Sequence, residues 1–570
     1  MSFVLLPMVP FDTAPLIITQ AVDQGNNIQL NGQPWAGRWL RQGGQFFVEE
    51  TWATNALGLS FLPANQPNPP SNRQRIKWFS SPQFLPVTFA NPANYRFVAL
   101  PSFAEKWRIT ARGDTLQITT PPAKLLAVRT SRQTVGDRLV LELDAPAPFQ
   151  VQRSANGTVL VINASSSAEL ARQQFSGAVV SSLRLQSQGN STVLSINAPI
   201  EPELDTLSNP YRLVLDFRTS PAPSRSAVNS RLWASGIAVI EQTVAIPNSP
   251  EQFQVHALEI DPKQVVMRPM WSNPLGMFGT SPLKAMAELW QATAAINAGF
   301  FNRDRRLPVG AIRSEGQWLA GAALNRGAIA WNDKGEVLID RLNYTEQLEL
   351  PTTKVAITNL NSGYVQRGVA RYTRGWGEYY LTMTDNEILV LVQNQQVTGQ
   401  FQAGQAGQSQ IPIPQDGYLL VLRGVPELVN TLAIATPVSI NTGISPASFA
   451  QFPHAIGAGP LLLKNSQIVL NPAQESFSHA FAEQRAMRSA IATTKSGKIL
   501  LVTVNASPQN TLPTLSQTAQ VLQQLGAIDA LNLDGGSSAG LYLGGNLLNR
   551  DNTSAIHNAI GIFLNQPAPK

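Results

Sequence analysis

Between residues 107 and 218 apolar and polar side chains alternate in short runs, and this period of two restricts the fold of the chain more than any other feature. The clearest runs are RLVLELD at 138–144 and YRLVLDF at 211–217. Successive side chains of a β-strand point to opposite faces, so each run presents one apolar face to a core. Turn residues separate the runs at short spacing, as at Gly157. The pattern predicts an antiparallel β-sandwich.

The whole chain is expected to be multidomain, because 570 residues exceed what one hydrophobic core usually supports. The segment TSPAPSRS at 219–226 is rich in proline and serine and has no periodicity, as in a linker. The predicted organisation is an apolar N-terminal segment at 1–20, a small β module at 21–100, a β-sandwich at 101–218, the linker at 219–226 and a larger domain at 227–570.

The larger domain shows signals for both strands and helices. Leu283, Met286 and Ala287 recur at helical spacing, and the extended run AIN follows at 295–297. Thr514 and Gln517 have the spacing of a capping box at the start of a second helix, which Gly526 would end. The predicted fold class is therefore N-terminal all-β modules followed by an α+β domain. In the first module, the run IQLNG at 28–32 followed by the run FFV at 46–48 predicts a hairpin with an Asn-Gly turn.

Composition excludes several functions. The chain has no cysteine, which rules out disulfides, thiolate catalysis and cysteine zinc sites. Its four histidines never occur at i, i+4 spacing, so a histidine zinc centre is not expected. The net charge is +6, yet lysine and arginine are scattered without long runs, and nucleic-acid binding is not expected.

An exported location is predicted. Only 14% of the residues are charged, which suits a β-rich exported protein. The apolar start MSFVLLPMVPF is too short to span a membrane and has no basic residue before Arg38, so we interpret it as the tail of an export signal that begins upstream. No segment is long and apolar enough to be a transmembrane helix. The predicted location is the periplasm, the cell envelope or the exterior.

Four glycine-bearing segments in the larger domain carry the chemistry. Each places a polar side chain near the end of an apolar run, followed by glycine or another small residue where backbone N–H groups could face a ligand. They are AINAGFF at 295–301, IGAGPLLL at 456–463, RSAIA at 488–492 and LNLDGGSS at 531–538.

In this order the segments resemble the phosphodiester glycosidase family, together with YTRGWG at 372–377, IPIPQDGYLL at 411–420 and NAIGIF at 558–563. The resemblance spans about 230–563 and implies hydrolysis of the glycosidic bond of a sugar-1-phosphodiester or a related envelope or exopolysaccharide glycan. The sandwich at 101–218 resembles an AMIN-type domain, which implies peptidoglycan or another envelope glycan as a partner. The module at 21–100 resembles a copper-amine-oxidase-type N-terminal repeat.

The reaction assigns roles to three residues. A carboxylate would stabilise the oxocarbenium character of the transition state, and Asp534 is the candidate. Arg488 would hold the phosphate, whose oxygens match a guanidinium fork. Asn297 would bind a sugar hydroxyl or water. The candidate substrate-binding residues are Gly299, Gly457, Gly459, Gly535, Gly536, Ser537, Arg374 and Trp376. No cofactor is required and no metal ligand is assigned, although a carboxylate such as Asp534 would also suit a divalent cation.

Two alternatives remain open. Ala298, Ser537 and Ser554 stand where the family commonly has glycine, glycine and arginine, which favours a glycan-binding protein that kept the fold without the reaction. The segment GSSAG at 536–540 also matches G-x-S-x-G, and Asp551 and His557 follow in the order of an α/β-hydrolase triad. That reading requires a helix after Ser538, whereas the residues there predict a strand.

Overall fold

A computed structural model describes residues 23–564 except 64–71, 91–94, 101–105, 135, 155–156, 173–174, 176, 219–229 and 508–509. The predicted segment 1–20 and the linker 219–226 lie outside the described residues. The chain is mostly β, with 52% strand and 10% helix, and this part of the expectation is confirmed. No helix within the described ranges combines the length and apolarity needed to cross a membrane.

The first sheet has nine strands in the order β4-β5-β6-β7-β3-β2-β1-β9-β8. Its elements are β1 (Gln24–Leu30), β2 (Gln33–Gln42), β3 (Gln45–Glu49), α1 (Glu50–Trp52), β4 (Ser60–Phe61), β5 (Arg73–Lys77), β6 (Gln83–Ala90), β7 (Tyr95–Ala99), β8 (Arg108–Arg112) and β9 (Thr115–Thr119). The turn at Asn31-Gly32 is confirmed by the β1–β2 pair, but the predicted run at 46–48 lies on β3 and pairs with β2 instead of β1. Because β9 pairs in parallel with β1, this sheet continues past the predicted boundary at residue 100.

Two sheets follow, and they form the sandwich expected from the alternating runs. Their strands are β10 (Lys124–Gln133), β11 (Gly136–Leu143), β12 (Phe149–Ser154), β13 (Gly157–Ile162), β14 (Ser165–Ser166), β15 (Ser182–Gln188), β16 (Ser191–Asn197), β17 (Glu203–Leu207) and β18 (Tyr211–Arg218), in the orders β14-β10-β11-β18-β17 and β12-β13-β16-β15. Leu141 and Leu194, one from each sheet, are fully buried in one core, which also contains Ile28 of the first sheet. The resemblance to an AMIN-type domain stays a prediction.

The C-terminal region contains four larger sheets and two short strand pairs. Its strands are β19 (Ser230–Ala234), β20 (Ile237–Ala245), β21 (Gln252–Ile260), β22 (Val265–Trp271), β23 (Ala294–Asn297), β24 (Phe301–Asn302), β25 (Leu307–Pro308), β26 (Ile312–Ser314), β27 (Gln317–Ala320), β28 (Gly327–Trp331), β29 (Val337–Arg341), β30 (Asn343–Glu349), β31 (Lys354–Leu360), β32 (Gly368–Tyr372), β33 (Tyr379–Leu381), β34 (Ile388–Gln393), β35 (Gln396–Gln402), β36 (Gln410–Pro412), β37 (Gly417–Arg423), β38 (Ser439–Ser445), β39 (His454–Gly457), β40 (Leu461–Lys464), β41 (Gln467–Ile468), β42 (Arg488–Thr494), β43 (Ile499–Val504), β44 (Ala527–Asn532), β45 (Leu541–Leu543), β46 (Asn546–Leu547) and β47 (Asn558–Leu564).

Three of these sheets enclose one apolar core. Their orders are β19-β20-β21-β43-β42-β44-β40-β41, β22-β47-β23-β45-β46 and β27-β26-β39-β28-β29. Ile296, Ile329 and Leu501, one from each sheet, are completely buried together. The fourth sheet, β35-β34-β37-β32-β31-β30-β38, has its own apolar clusters. The strand ends that carry the glycine-bearing segments therefore surround a rigid centre.

Helices in this region are α2 (Leu283–Leu289), α3 (His479–Glu483) and α4 (Leu515–Gln524). The helix predicted from Thr514 is confirmed, including both hydrogen bonds of its capping box. Leu522 of α4 packs onto the eight-stranded sheet, beside Val502. The helix predicted around Met286 is confirmed as α2. Strands nevertheless dominate, and the description of this region as α+β is not confirmed.

The N-terminal sheet is attached to the C-terminal region by buried charges and rings. The Glu50 carboxylate pairs with Arg96 at 2.5 Å and with Arg231 at 2.7 Å. The rings of Phe89 and Trp233 meet edge to face with centroids 5.3 Å apart. The contact joins the sheet of β1 directly to β19 and fixes the two parts of the chain against each other.

Candidate functional site

The predicted segments come together where β23 and β44 end and β42 begins. Asn297 is the last residue of β23, and its Nδ2 donates to the Asp534 carbonyl oxygen at 2.5 Å. Its Oδ1 accepts from Ser489 Oγ at 2.7 Å and from the Gly540 N–H at 3.0 Å. Asn297 is 0% exposed. The side chain that was predicted to bind a sugar hydroxyl therefore holds three protein segments together beneath the site.

Asp534 follows β44, and its backbone N–H donates to the Ala298 carbonyl at 2.8 Å. Burial raises the pKa of the Asp534 carboxyl, while the Ser538 hydroxyl, the Gly535 N–H and the charge of Arg303 oppose the rise. The Ser538 hydroxyl acts by proximity, since its Oγ forms no hydrogen bond of ordinary geometry. The turn after Asp534 has no side-chain cap, so this carboxyl is not a helix cap.

A one-residue bulge determines where Asp534 points. The Leu533 N–H donates to the Ser489 carbonyl, and the Gly536 N–H donates to the Met487 carbonyl at 2.7 Å. The three residue steps from Leu533 to Gly536 thus match only two steps from Ser489 to Met487 on the neighbouring segment. As a result, both Asp534 and Gly535 lie opposite Arg488. Such bulges re-aim side chains and are common beside active sites.

Arg488 is a buried cation without a carboxylate partner. It is 2% exposed, its Nε forms no hydrogen bond, and one Nη2 donates to the Gln484 carbonyl. Burial alone lowers the pKa of Arg488 to about 10, so the guanidinium stays charged at neutral pH. No ion pair engages it in the part of the chain that the structure describes. An unneutralised buried charge is costly, and it favours an anionic ligand.

Aromatic rings and a second arginine extend the site. The guanidinium of Arg488 lies 5.6 Å from the ring centre of Phe481, which stacks on Phe477 with centroids 4.9 Å apart. Arg326 lies 4.0 Å above the Phe477 ring, and Phe300 completes the cluster. Rings of this kind provide apolar faces for a sugar, while the arginines provide positive charge.

The predicted glycines do not offer backbone donors to a ligand. Their N–H groups are used within the protein, from Gly299 to Asn558 Oδ1, from Gly457 to the Ala311 carbonyl and from Gly459 to the Asn532 carbonyl. Gly535 donates to the Asp534 carboxylate, and Gly536 donates to the Met487 carbonyl. Glycine is required at position 299 for another reason, because a Cβ there would lie 2.7 Å from the Gly457 carbonyl. The expectation is corrected, since close backbone packing accounts for this glycine.

The residues that depart from the family pattern, Ala298, Ser537 and Ser554, do not block access to the site. Ala298 is 1% exposed and packs into the central core, so its methyl group does not narrow the approach to a ligand. Ser537 is exposed. An arginine also lies beside this loop: Arg550 Nη1 donates to the carbonyls of Gly536 at 3.2 Å and Ser537 at 3.3 Å. Arg550 thus brings a positive charge to the loop near Ser554.

Trp376 lines a groove whose lining includes neither Asp534 nor Arg374. Trp376 is 4% exposed and packs edge to face on Tyr372, with ring centroids 5.1 Å apart. Arg374 is exposed and donates to the Glu378 carbonyl at 3.4 Å. The groove encloses about 1060 Å³, and Asp304 is among its lining residues. Asp304 and Arg305 of this lining directly follow Arg303, whose charge lowers the pKa of Asp534.

The geometry excludes the serine-hydrolase triad. The ring of His557 contacts the Met277 carbonyl at 3.2 Å through Nε2 and Asn558 at 3.3 Å through Nδ1, which leaves no nitrogen for Ser538. Burial lowers the pKa of His557 to about 4. Among the described residues, no group of three or more histidine, aspartate and glutamate side chains could hold a metal ion.

Sequence reasoning missed several residues of the site. Phe300 lay inside a recognised segment but was not singled out, and Arg326, Phe477 and Phe481 lie between the segments. The run RDRR at 303–306 was a usable signal, because three arginines in four residues follow directly after β24.

The chain is similar to known structures and to one family model. The chain belongs to the same family as a hypothetical protein from Synechocystis, with which it shares 40% sequence identity. The alignment with the crystal structure of that protein covers 95% of this chain and 99% of that chain, with a TM-score of 0.79. No curated protein matches the chain.

A family model described as phosphodiester glycosidase matches residues 388–563, so the C-terminal region carries a domain of this type. The match includes Arg488 and Asp534 but not Asn297. The chain also aligns with the catalytic domain of zebrafish N-acetylglucosamine-1-phosphodiester alpha-N-acetylglucosaminidase, auto-inhibited by its pro-peptide, at 15% identity and a TM-score of 0.31, over 64% of this chain and 89% of that chain.

Proposed function

We propose that the chain is a hydrolase that cleaves the glycosidic bond of a sugar-1-phosphodiester or a related envelope glycan. The observation that carries the proposal is the presence, on adjacent backbone segments, of Asp534, a half-buried carboxyl whose pKa is raised, and Arg488, a buried guanidinium without an acid partner. Perturbed carboxyls beside unpaired cations are typical of catalytic sites.

The arrangement suits the chemistry. Ionised Asp534 stabilises the oxocarbenium character at the anomeric carbon, and Arg488 binds the phosphate that leaves. A phosphate is a good leaving group, so the reaction needs little protonation from a second acid. Water attacks the anomeric carbon, its oxygen remains on the sugar, and the phosphate monoester departs. Asn297 acts as a positioning residue that fixes the loop of Asp534.

Two further expectations belong to this proposal. The sandwich at 101–218 binds peptidoglycan or another envelope glycan, which would raise the local concentration of the enzyme near an immobile substrate. The protein acts in the periplasm, in the envelope or outside the cell. Both are tested by fractionation of the native cells and by sedimentation of the full chain with purified envelope glycan.

The direct test is release of free sugar from N-acetylglucosamine-1-phosphodiesters by the full chain, compared with the Asp534→Asn variant. Loss of a single electrostatic group in the transition state is expected to lower kcat by about 10²–10³-fold. Asp551→Asn is the matched control, because that carboxyl is exposed on the loop that follows β46. Wild-type rates in Asp534→Asn would remove Asp534 from the mechanism.

The alternative is a glycan-binding protein without turnover. Binding of a sugar phosphodiester by the folded chain, with no product after prolonged incubation and across several sugars, would support it. The burial of the Ala298 methyl group and the presence of Arg550 at the site argue for the enzyme, because the two departures that most threatened ligand binding are compensated.

A further inference from the structure

Four large apolar side chains are exposed in the groove that Trp376 lines. Their exposed fractions are 83% for Leu275, 56% for Phe278, 52% for Leu381 and 49% for Tyr379. Apolar side chains exposed together mark a binding surface, and a concavity of about 1060 Å³ can enclose an organic ligand.

The groove is formed before any ligand binds. The Met277 N–H donates to the Trp376 carbonyl at 2.8 Å, which holds the segment between Leu275 and Phe278 against Trp376. Arg305 Nη2 donates to the Met383 carbonyl at 3.2 Å and fastens the other end. Beneath the floor, the buried Arg423 pairs with Glu387 at 2.7 Å. A rigid apolar groove binds a flexible chain with a smaller entropic cost than a surface that must first become ordered.

Part of the groove is formed by the loop at 303–306. Asp304 and Arg305 line the groove, whereas the neighbouring Arg303 acts on the charge of Asp534. The loop at 303–306 contains three arginines and one aspartate, so it carries net positive charge. A ligand whose sugar lies at Asp534 and whose phosphate is bound by Arg488, with the positive charge of this loop nearby, would extend its other substituent along the apolar groove.

We propose that the groove binds the hydrocarbon chain of a lipid-linked sugar phosphodiester. The inference rests on the proposed function and names its substrate class as a sugar joined through phosphate to a long-chain alcohol. Hydrolysis breaks the bond between the anomeric carbon and the phosphate oxygen. It forms a bond from that carbon to the oxygen of water and releases free sugar, an alkyl phosphate and one proton.

The test measures binding of the alkyl phosphate product without turnover. Calorimetry compares decyl phosphate, kept below its micelle concentration, with methyl phosphate on the full chain. Each buried methylene strengthens binding about fourfold, so decyl phosphate is expected to bind more than tenfold tighter. Leu381→Ser should reduce this affinity several-fold. Leu289→Ser is the matched control, because Leu289 is 56% exposed on α2, is not among the groove residues and should bind decyl phosphate like wild type.

Equal affinities for the two phosphates would overturn the proposal. Tighter binding of a phosphorylated oligosaccharide than of decyl phosphate would assign the groove to glycan, and a dimer that Leu381→Ser dissolves would assign it to a second copy of the chain; both overturn it. The calorimetric test measures binding and does not depend on hydrolysis. If the protein binds alkyl phosphates more tightly as their chain lengthens but hydrolyses no sugar phosphodiester, only the proposed activity is contradicted.

Discussion

Asp534 lies opposite Arg488 in the backbone register of two neighbouring segments, and no ion pair joins their side chains. Each side chain carries an uncompensated burial cost, since burial raises the pKa of Asp534 and lowers that of Arg488. Because neither charge neutralises the other, both groups remain available to a ligand. A phosphate beside Arg488 and an electron-poor carbon beside Asp534 would complete the arrangement.

The first prediction concerns Arg488. Arg488→Gln is expected to lower kcat/KM for a sugar phosphodiester by about 10²-fold, because a charged group that contacts phosphate is lost. Arg488→Lys should fall between this variant and wild type, since an ammonium keeps the charge without the planar fork. Arg485→Gln is the control, because Arg485 is 46% exposed and pairs with Glu251. Wild-type kinetics in Arg488→Gln would contradict the assignment.

The second prediction concerns pH. Activity should rise with pH through the raised pKa of Asp534, so the acid limb of the profile should lie above the ordinary range of an aspartate. The stability effect has the opposite sign: protonated Asp534 suits the folded state, and its contribution is lost as pH rises through the folded pKa. Asp534→Asn should therefore unfold at a higher temperature than wild type at neutral pH, measured by calorimetry. A lower unfolding temperature would show that the carboxylate stabilises the fold.

Much of the local structure followed from sequence. The turn at Asn31-Gly32 and the capping box at Thr514 depend on a few neighbouring residues, so their chemistry is visible in the chain order. The convergence of Asn297, Arg488 and Asp534 was also predictable, because each lies near the end of an apolar run.

The roles of the glycines were not predictable in the same way. Whether the Gly299 N–H faces a ligand depends on Asn558, which lies far away in sequence and accepts that hydrogen bond. The groove likewise depends on strands that sequence order separates, because Leu275 and Leu381 become neighbours only through the tertiary fold. Long-range contacts of this kind leave no local pattern.

The third prediction concerns His557, whose pKa burial lowers to about 4. The neutral ring is favoured in the folded state, so its contribution is present above the unfolded pKa near 6.5 and is lost as pH falls toward 4. This loss amounts to roughly 3 kcal/mol. Denaturant unfolding at pH 7 and pH 4.5 should show a smaller loss in His557→Gln than in wild type. The exposed His479→Gln is the control and should behave like wild type.

The fourth prediction concerns backbone packing at the site. Gly299→Ala should destabilise the fold by about 1–3 kcal/mol, because the added methyl group would lie 2.7 Å from the Gly457 carbonyl. Gly404→Ala is the matched control, since a Cβ there meets nothing within 4 Å. Chemical denaturation of both variants measures the difference. Equal stability would mean that the strands at 299 and 457 can separate without cost.

The fifth prediction concerns the junction at Glu50. Burial alone would raise its pKa, but Arg231 and Arg96 hold the pKa of Glu50 below its ordinary value. Glu50→Gln leaves Arg96, 2% exposed, without its partner and should cost about 3–5 kcal/mol of unfolding free energy. Glu142→Gln is the control, because its partner Arg129 is 69% exposed. A loss below about 1 kcal/mol would place this junction among surface ion pairs.

The same junction limits how this chain can evolve. Domains joined only by a flexible linker can be exchanged between genes. The Glu50 carboxylate, by contrast, pairs with Arg96 of the N-terminal sheet and Arg231 of β19, so a change in one of these residues affects the others. The Synechocystis relative is aligned over 95% of this chain, from the first sheet to the last. A change on either side of this contact is therefore expected to alter the stability of both the N-terminal sheet and the C-terminal region.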